Sequence, residues 1–251
     1  MKKTALSVAT ALLLATGAIT STARTLLFIG DSITDGNWGG GRGVASDKRS
    51  HDDFNHIFGH GYMEMTAGYF MSEYAGAGLQ FHNRGISGHR LSDMAARWQE
   101  DVIALRPDVV SILAGTNDVH HHLRQPDRVE FSVERFRQQL DSLICLTADS
   151  LPGVQIAICT PFTAKAGRIG QDASYPERER MIKELAAAVR EIAARRDLTV
   201  IPFDSLITEL TAVGAPEYWV WDGIHPTTAA HYRMSRLWID IMEPKLALPK
   251  E

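Results

Sequence analysis

The sequence has few cysteines, no excess of positive charge and no apolar run long enough to cross a membrane comfortably. Its 251 residues include two cysteines, and 26 lysines and arginines stand against 30 aspartates and glutamates, for a net charge of −4. This acidic balance argues against a nucleic-acid partner. A phosphate-binding loop is also absent, because no Gly-Lys-Ser or Gly-Lys-Thr follows the glycines at positions 39–43.

The two cysteines lie in apolar surroundings. Cys145 falls within the run Leu143–Leu146, and Cys159 ends the run Ile156–Ile158. Both resemble small buried hydrophobic residues. Because an exported protein can form disulfides, and because sequence does not give the distance between the two thiols, their pairing stays open at this point.

The longest apolar stretch, Ala5–Ile19, lies at the N-terminus and is too short for a comfortable membrane span. Lys2 and Lys3 precede it, and Ser21–Ala23 supplies the small residues that a signal peptidase recognises. A core helix would need an amphipathic stripe, and none is visible here. We predict that residues 1–23 are a bacterial export signal and that the protein works in the periplasm or the medium, without a stable membrane anchor.

Removing these 23 of 251 residues would leave 228, enough for one domain with a sizeable core. We predict a single domain over 24–251, and no linker or repeat interrupts it. Its net charge would be −6, because two lysines are lost with the signal.

Short β-rich runs alternate with stretches of helical spacing. The predicted strands are Leu26–Gly30, Leu79–His82, Val109–Leu113, Val154–Cys159 and Leu198–Pro202. The predicted helices include Tyr62–Phe70, Leu91–Leu105, Val133–Ile144, Ile182–Ile192 and Ala230–Ile241. This alternation predicts a parallel sheet with helices on both faces, with ligands binding beyond the carboxyl ends of the strands.

Four segments with chemically useful side chains follow predicted strands. Gly30-Asp31-Ser32 follows the first strand, and alone it is equally typical of a turn or helix cap. Gly85 and Asn117 follow the second and third, where a backbone N–H and an amide can face a developing oxyanion. Asp222 precedes His225 by three residues, a spacing that allows the carboxylate to orient the imidazole.

The combination of these segments resembles the SGNH hydrolases, also called GDSL esterases and lipases. The four blocks occur in the family's order and span nearly the whole predicted domain, with Ile33 where the family name has Leu. They are Gly30–Thr34, Asn83–Gly88, Gly115–Asp118 and Asp222–Pro226. An ordinary α/β-hydrolase would instead show Gly-x-Ser-x-Gly, whose second glycine is replaced here by Thr34.

The resemblance implies a flavodoxin-like three-layer α/β/α sandwich with five parallel strands in the order 2-1-3-4-5. It implies that Ser32 is the nucleophile, His225 the general base and acid, and Asp222 its orienting carboxylate. The Ser32 and Gly85 N–H groups, with the Asn117 side chain, would form the oxyanion hole. No cofactor or metal is needed.

Histidines are concentrated near the predicted site, at positions 51, 56, 60 and 120–122. Consecutive histidines cannot all face one ion in a regular element, and the loop spacings match no zinc pattern. We expect surface histidines that line a polar pocket, and no metal site.

The substrate is expected to be a small ester or an acetylated glycan. The long segment Thr34–His60 is polar and placed to wall the site, whereas a lipase would show an apolar lid. Asp31, Trp38 and Trp221 are counted among the substrate-site residues, and Asp31 is also expected to brace its turn. Trp219 could stack on a sugar ring as well. For at least one of the three tryptophans, a role in the core or in the wall of the site is equally open. The alternatives are a lysophospholipase, arylesterase or thioesterase, and a non-catalytic glycan-binding protein on the same fold.

Overall fold

The computed structural model describes residues 24–36 and 58–248. The predicted export signal, Trp38, and the loop histidines at positions 51 and 56 lie outside the described residues. None of the helices in the two described ranges is both long and apolar enough to cross a membrane.

Five parallel strands form one sheet in the order β2-β1-β3-β4-β5. The strands are β1 Thr25–Gly30, β2 Gln80–Gly85, β3 Val109–Leu113, β4 Gln155–Cys159 and β5 Thr199–Ile201. β1 lies between β2 and β3, with Gly30 opposite Gly85 and Ile29 opposite Ile112. The carboxyl ends of β1, β2 and β3 therefore meet at one edge, where Ser32, Gly85 and Asn117 were expected to converge.

Ten α-helices connect and cover the strands in the described ranges. They are α1 Ser32–Asp35, α2 Tyr62–Glu73, α3 Leu91–Ala96, α4 Thr116–Arg124, α5 Val133–Ser150, α6 Gly167–Gly170, α7 Tyr175–Arg196, α8 Phe203–Ala212, α9 Pro216–Trp219 and α10 Thr228–Leu246. A 3₁₀ turn follows α2 at Ala75–Ala77, and a π-helical segment follows α3 at Gln99–Ile103.

Side chains of β1 alternate between two cores. Leu26 and Phe28 pack on one face of the sheet against α2, α8 and α10, while Leu27 and Ile29 pack on the other against α3, α5 and α7. All four are fully buried. A strand covered on both faces reads as a continuous apolar run, which is why this strand was predictable. The predicted three-layer α/β/α sandwich with strand order 2-1-3-4-5 is confirmed.

One predicted helix differs in detail. The expected helix over Leu91–Leu105 is divided into α3 and the π-helical segment, which ends at Ile103. Arg106, with a φ of 48°, then turns the chain before Pro107. Helices α4 and α8 were not predicted. α4 has only nine residues and two apolar side chains, Val119 and Leu123, so its one-sided pattern is too short to identify a helix from the sequence.

Both cysteines are free. Cys159 is buried at the end of β4 with its Sγ 3.5 Å from Ser111 Oγ, and Cys145 is half-buried on α5. The thiol of Cys159 has its pKa raised to about 12 by burial, as expected for a small residue of the core.

Candidate active site

Ser32 lies directly beyond the end of β1. Asp31 caps α1 by accepting a hydrogen bond of 2.9 Å from the backbone N–H of Ile33, and Ser32 is the first residue of that short helix. Gly36 closes the helix with a φ of 58°. Ser32 is partly exposed, and its own N–H has no acceptor among the described residues. The turn therefore presents both the hydroxyl and a free backbone donor at the edge of the sheet.

A tight turn before α10 brings Asp222 and His225 together. The N–H of Trp221 donates to the carbonyl of His225 over 3.2 Å, which folds the chain back on itself. Gly223 has a φ of 94°, and an added Cβ would lie 2.6 Å from Cβ of Ile169. Only glycine satisfies both the backbone conformation and this close packing.

The three predicted catalytic side chains form a continuous hydrogen-bonded row. Ser32 Oγ lies 2.9 Å from Nε2 of His225, and Nδ1 of His225 lies 2.9 Å from Oδ2 of Asp222. The other oxygen of Asp222 accepts the backbone N–H of His225 over 2.8 Å. Asp222 is 2 % exposed, so its carboxylate is shielded from water while every contact favours its charged form.

The charges of this row reinforce each other. Burial by itself would raise the pKa of Asp222, but hydrogen bonds from the side chain and backbone of His225 hold it at about 2. Burial by itself would lower the pKa of His225, but the bond and the charge of Asp222, and then the charge of Asp31, raise it above its usual value. Such an arrangement stabilises an imidazolium and leaves Nε2 of the neutral ring as a base for the hydroxyl proton.

Asn117 lies in the first turn of α4, beyond the end of β3. Its Nδ2 donates to Oδ2 of Asp31 over 3.2 Å and to the carbonyl of His89 over 3.3 Å. Both bonds are longer than the usual N–H···O distance. A stronger, negatively charged acceptor in the site can therefore compete for the proton that faces His89.

The two glycines of the block after β2 have different surroundings. The N–H of Gly85 donates to Oδ1 of Asn83 over 2.9 Å, and an added Cβ would lie 2.3 Å from the backbone nitrogen of Asp35. Gly85 thus allows α1 to pack on β2, and its N–H is not directed to a substrate. Its predicted place in the oxyanion hole does not fit this geometry.

Gly88 is a donor that the sequence reading missed. It is the third residue of a turn closed by the hydrogen bond from His89 N to the carbonyl of Ile86, and its φ is 82°. Its N–H has no acceptor among the described residues, and open space surrounds its Cα. The carbonyl of His89 touches Asn117, so this turn lies beside the predicted oxyanion side chain. Gly88 lies in the block Asn83–Gly88, but the sequence alone does not show which glycine of that block directs its N–H towards the site.

A cavity of about 390 Å³ opens over Ser32. The side chains that line it include Ser32, Asp35, His60, Ser87, Trp221, His225 and His231. Trp221 is 58 % exposed, and its ring is nearly parallel to that of His225, with 6.2 Å between the centroids. Its predicted position at the substrate site is therefore consistent with the geometry.

Asp31, counted with the substrate site, and Trp219, for which a core role was left open, do not face the cavity. Asp31 is 1 % exposed and its oxygens face Ile33 and Asn117, so it braces the turn and cannot touch a substrate. This corrects its placement among the substrate-binding residues, and the reason is burial. Trp219 packs against the apolar core beneath α8 and α10 and has a structural position.

His120, His121 and His122 lie on α4, where successive side chains point in different directions. His120 borders a different cavity from the one over Ser32. In the part of the chain that the structure describes, no three histidine, cysteine, aspartate or glutamate side chains converge as a metal site would require.

Comparison with known proteins gives a consistent family. The model of the GDSL-like lipase/acylhydrolase family matches residues 28–233. An acetylxylan esterase from Geobacillus stearothermophilus is 33% identical over 216 residues, which cover 85% of this chain and 91% of that protein. The crystal structure of that esterase superposes with a TM-score of 0.73 at 29% identity, covering 87% of this chain and 94% of the other. A GDSL-like lipase from Parabacteroides merdae gives a TM-score of 0.77 at 29% identity, covering 88% and 95%.

Mutants of the Geobacillus esterase are also among the solved structures. They include catalytic mutants with alanine in place of a serine, an aspartate or a histidine, and one with isoleucine in place of a tryptophan. In that esterase the tryptophan directly precedes the aspartate, and the histidine follows it by three residues. Trp221, Asp222 and His225 have the same spacing. Because the family model covers well over half of the chain, this protein belongs to the GDSL-like lipase/acylhydrolase family and is a carboxylic ester hydrolase.

Proposed function

We propose that this protein is a serine esterase that removes acetyl groups from carbohydrate, with Ser32 as nucleophile, His225 as base and acid, and Asp222 as orienting carboxylate. The observation that carries the proposal is the unbroken row from Ser32 Oγ through His225 to Asp222, with 2.9 Å at each step. A nucleophile, a base and an orienter in hydrogen-bond contact are the requirements for acyl transfer.

The first half of the reaction forms an acyl-enzyme. As Oγ of Ser32 attacks the ester carbonyl, Nε2 of His225 takes the hydroxyl proton and Asp222 stabilises the resulting imidazolium. The tetrahedral intermediate then collapses, its bond to the sugar oxygen breaks, and His225 returns the proton to that oxygen. In the second half, His225 takes a proton from water as the water oxygen attacks the acyl carbon. The bond from the acyl carbon to Oγ of Ser32 then breaks, His225 returns the proton to Oγ, and acetate leaves.

The negative charge that develops on the carbonyl oxygen requires preorganised donors. We assign this role to the N–H groups of Ser32 and Gly88 and to the side-chain amide of Asn117. The first two have no acceptor among the described residues, and the amide proton facing His89 is held only by a 3.3 Å contact. Gly85 is not included, because its N–H is bound to Asn83.

The substrate assignment rests on two supporting observations. A relative that is 33% identical is an acetylxylan esterase. Exposed aromatic rings offer an apolar face to a sugar, and Trp221 presents such a ring directly beside His225. The predicted export signal agrees with a polymeric glycan as substrate, since such polymers are met outside the cytoplasm.

The test compares 4-nitrophenyl acetate with the octanoate, and then acetylated xylo-oligosaccharides, using the wild type and Ser32→Ala. We expect acetate to be preferred, acetate to be released from the oligosaccharides, and the variant to lose activity by about 10³-fold or more. Preference for octanoate would move the assignment to a lipid or thioester substrate. Activity that survives in Ser32→Ala would overturn the mechanism, and binding of glycan without turnover would indicate a binding protein.

Export is tested separately. Expression of the full chain in a bacterium, followed by N-terminal sequencing of the periplasmic and medium fractions, should give a mature protein that begins at Arg24. Recovery of the uncleaved chain from the cytoplasm would contradict the predicted signal.

A further inference from the structure

A second cavity, of about 420 Å³, lies between helices α4, α6 and α7. Three arginines line it, and we call it the arginine pocket. The lining residues that carry the argument are His120, Arg124, Arg168, Asp172, Ser174 and Arg178. With three guanidinium groups and one carboxylate, this wall is strongly positive in a protein whose net charge is −4.

Arg178 is the buried element of the pocket. Its side chain is 2 % exposed although it carries a charge, and its Nη2 donates to Nδ1 of His120 over 3.2 Å. The Nε and Nη1 nitrogens are shielded from solvent and have no hydrogen-bond partner among the described residues. Because a buried charge without hydrogen-bond partners is costly, an anion bound in this pocket would stabilise the guanidinium.

His120 does not supply the missing counter-charge. Burial first, and the charge of Arg178 next, lower the pKa of His120 to about 4, so its ring is neutral and accepts the hydrogen bond of Arg178. Asp172 is the one negative charge of the wall and acts on Arg178 across the pocket, but it forms no direct ion pair with any of the three arginines, and its Oδ1 is held by the N–H and the hydroxyl of Ser174 over 2.8 and 2.7 Å.

The three arginines form no ion pair with any carboxylate of the described residues. Elsewhere in those residues most arginine side chains are paired, as in the contacts of Arg190 with Asp204 and of Arg137 with Glu191. Arg124 and Arg168 are exposed at the mouth of the pocket, and Arg178 forms its wall. The fold therefore gathers three guanidinium groups against one carboxylate around one cavity, which leaves an excess of positive charge there.

The arginine pocket adjoins the catalytic row. Arg168 is on α6, and the next residue, Ile169, donates its N–H to the carbonyl of Asp222 over 3.2 Å. The charge of Arg168 also acts on His225, whose pKa it lowers against the larger effect of Asp222. On the other wall, His120 lies one helical turn after Asn117. The walls of the pocket are thus connected to the catalytic site through both α4 and α6, as a single ligand that occupies both would require.

We propose that the arginine pocket binds the carboxylate of an acidic sugar residue, so that the preferred substrate is an acetylated glycan that carries uronic acid. This inference rests on the proposed function and extends it from acetylated carbohydrate in general to anionic glycan. The planar guanidinium groups match the two oxygens of a carboxylate. In a net-negative protein, this local positive surface is what allows an acidic polymer to approach productively.

The kinetic test compares acetylated xylo-oligosaccharides with and without a glucuronic acid substituent. For the wild type we expect a KM about tenfold or more lower for the acidic substrate, as charge-assisted hydrogen bonds would give. In Arg124→Gln/Arg168→Gln this ratio should approach one. The matched control is Arg195→Gln/Arg196→Gln, which also removes two positive charges but at the far end of α7, about 25 Å from Arg178. The control should keep the wild-type ratio.

A binding test separates a substrate site from a site for small free anions. Titration calorimetry with glucuronate should show binding to the wild type and an affinity at least tenfold lower in the double variant. High salt should weaken glucuronate binding to the wild type by a similar factor. Inorganic phosphate is the second probe. If phosphate binds but glucuronate does not, and the KM ratio is one, the pocket holds a free anion and the proposal is wrong. Absence of binding by both probes also overturns it.

Failure of the acidic-glycan inference can be distinguished from failure of the proposed esterase function. If the enzyme does not release acetate from either oligosaccharide, the esterase assignment to carbohydrate fails, but glucuronate binding still tests the pocket. If it hydrolyses the neutral and acidic substrates with equal KM, the carbohydrate assignment stands and the acidic-glycan inference fails. Arg178→Met is a further variant, and its folding is checked by circular dichroism because the residue is buried.

Discussion

The side-chain amide of Asn117 donates to a carboxylate oxygen of Asp31 over 3.2 Å and thereby ties the start of α4 to the end of β1. Both side chains are buried, with exposures of 7 % and 1 %. Burial raises the pKa of Asp31 to about 6, although the backbone N–H of Ile33 opposes the shift. The carboxylate therefore orients the oxyanion amide at a cost to stability, without touching the substrate.

Replacing Asp31 by asparagine should reduce kcat while KM changes little. The new amide would direct its own N–H groups towards Nδ2 of Asn117, so the catalytic amide would lose its acceptor and its orientation. We expect kcat for 4-nitrophenyl acetate to fall about tenfold to a hundredfold, less than loss of an oxyanion donor itself. Asp240→Asn, on the exposed face of α10, is the control and should match the wild type. An unchanged kcat would show that Asn117 needs no partner at position 31.

The same variant makes a prediction about stability and pH. The folded-state pKa of Asp31 is about 6, above its ordinary value of 3.8, so the folded protein binds the proton more tightly than the unfolded chain. The stability that this proton contributes is complete below pH 3.8 and is lost as the pH rises through 6. Urea unfolding at pH 4 and pH 7 should thus show the wild type losing about 2 kcal/mol relative to Asp31→Asn. A constant difference between the two proteins at both pH values would contradict the raised pKa.

The two glycines after β2 should respond differently to alanine. At Gly85 an added Cβ would meet backbone of α1 at 2.3 Å, which neither element can relieve cheaply, so Gly85→Ala should lower stability by several kcal/mol. At Gly88 the space is open and only the φ of 82° is unfavourable, a cost of about 1 kcal/mol.

Catalytic activity should show the opposite pattern to stability, with the larger direct effect in Gly88→Ala. Gly88→Ala disturbs the turn that presents a free N–H, so its kcat should fall about tenfold or more while it stays folded. Thermal unfolding and kinetics of both variants, with Gly153→Ala as a control for an open glycine of φ 87°, make the comparison. Full activity in Gly88→Ala, with a well-folded but inactive Gly85→Ala, would return the oxyanion role to Gly85.

The decrease of kcat/KM at acid pH should follow the protonation of His225. Because Asp222 raises the pKa of His225, the wild type should lose kcat/KM with a midpoint above pH 6.5 as the ring is protonated. In Asp222→Asn the largest raising contacts are gone, while burial remains and only the charge of Asp31 still opposes it, so the midpoint should move to lower pH and kcat should fall about 10³- to 10⁴-fold. A profile of the variant that keeps the wild-type midpoint would mean that another group controls this decrease. Ser32→Ala supplies the background rate to subtract.

Much of this fold could be predicted because its strands are covered on both faces. β1 appears in the sequence as an apolar run ending at Gly30, and the pattern repeats at β3 and β4. The pairing of Asp222 with His225 could also be predicted, because the two residues are only three positions apart in one tight turn. These features depend on residues close together in the chain, which sequence patterns describe well.

The parts that were missed depend on packing between distant segments. Gly85 and Gly88 look alike in the sequence, and only the approach of α1 to β2 decides which one is enclosed. Arg178 lies among charged neighbours at the start of α7 and gives no sign that it is buried. Its burial results from α4 and α7 meeting beside the site, a tertiary contact with no local signature.

The exposed ring of Trp221 should contribute to binding of sugar and little to the chemistry. It is 58 % exposed at the cavity over Ser32, and a pyranose packed on such a ring gains about 1 to 2 kcal/mol. Trp221→Ala should therefore raise KM for acetylated xylo-oligosaccharides about fivefold to thirtyfold, while kcat/KM for 4-nitrophenyl acetate changes less. Trp221→Phe should recover part of the loss, because it restores an aromatic face. Tyr232→Ala, at a similarly exposed aromatic residue on α10, should leave both substrates unaffected. If both substrates instead lose kcat equally in Trp221→Ala, the ring acts by holding His225 in place, as their 6.2 Å near-parallel contact also allows.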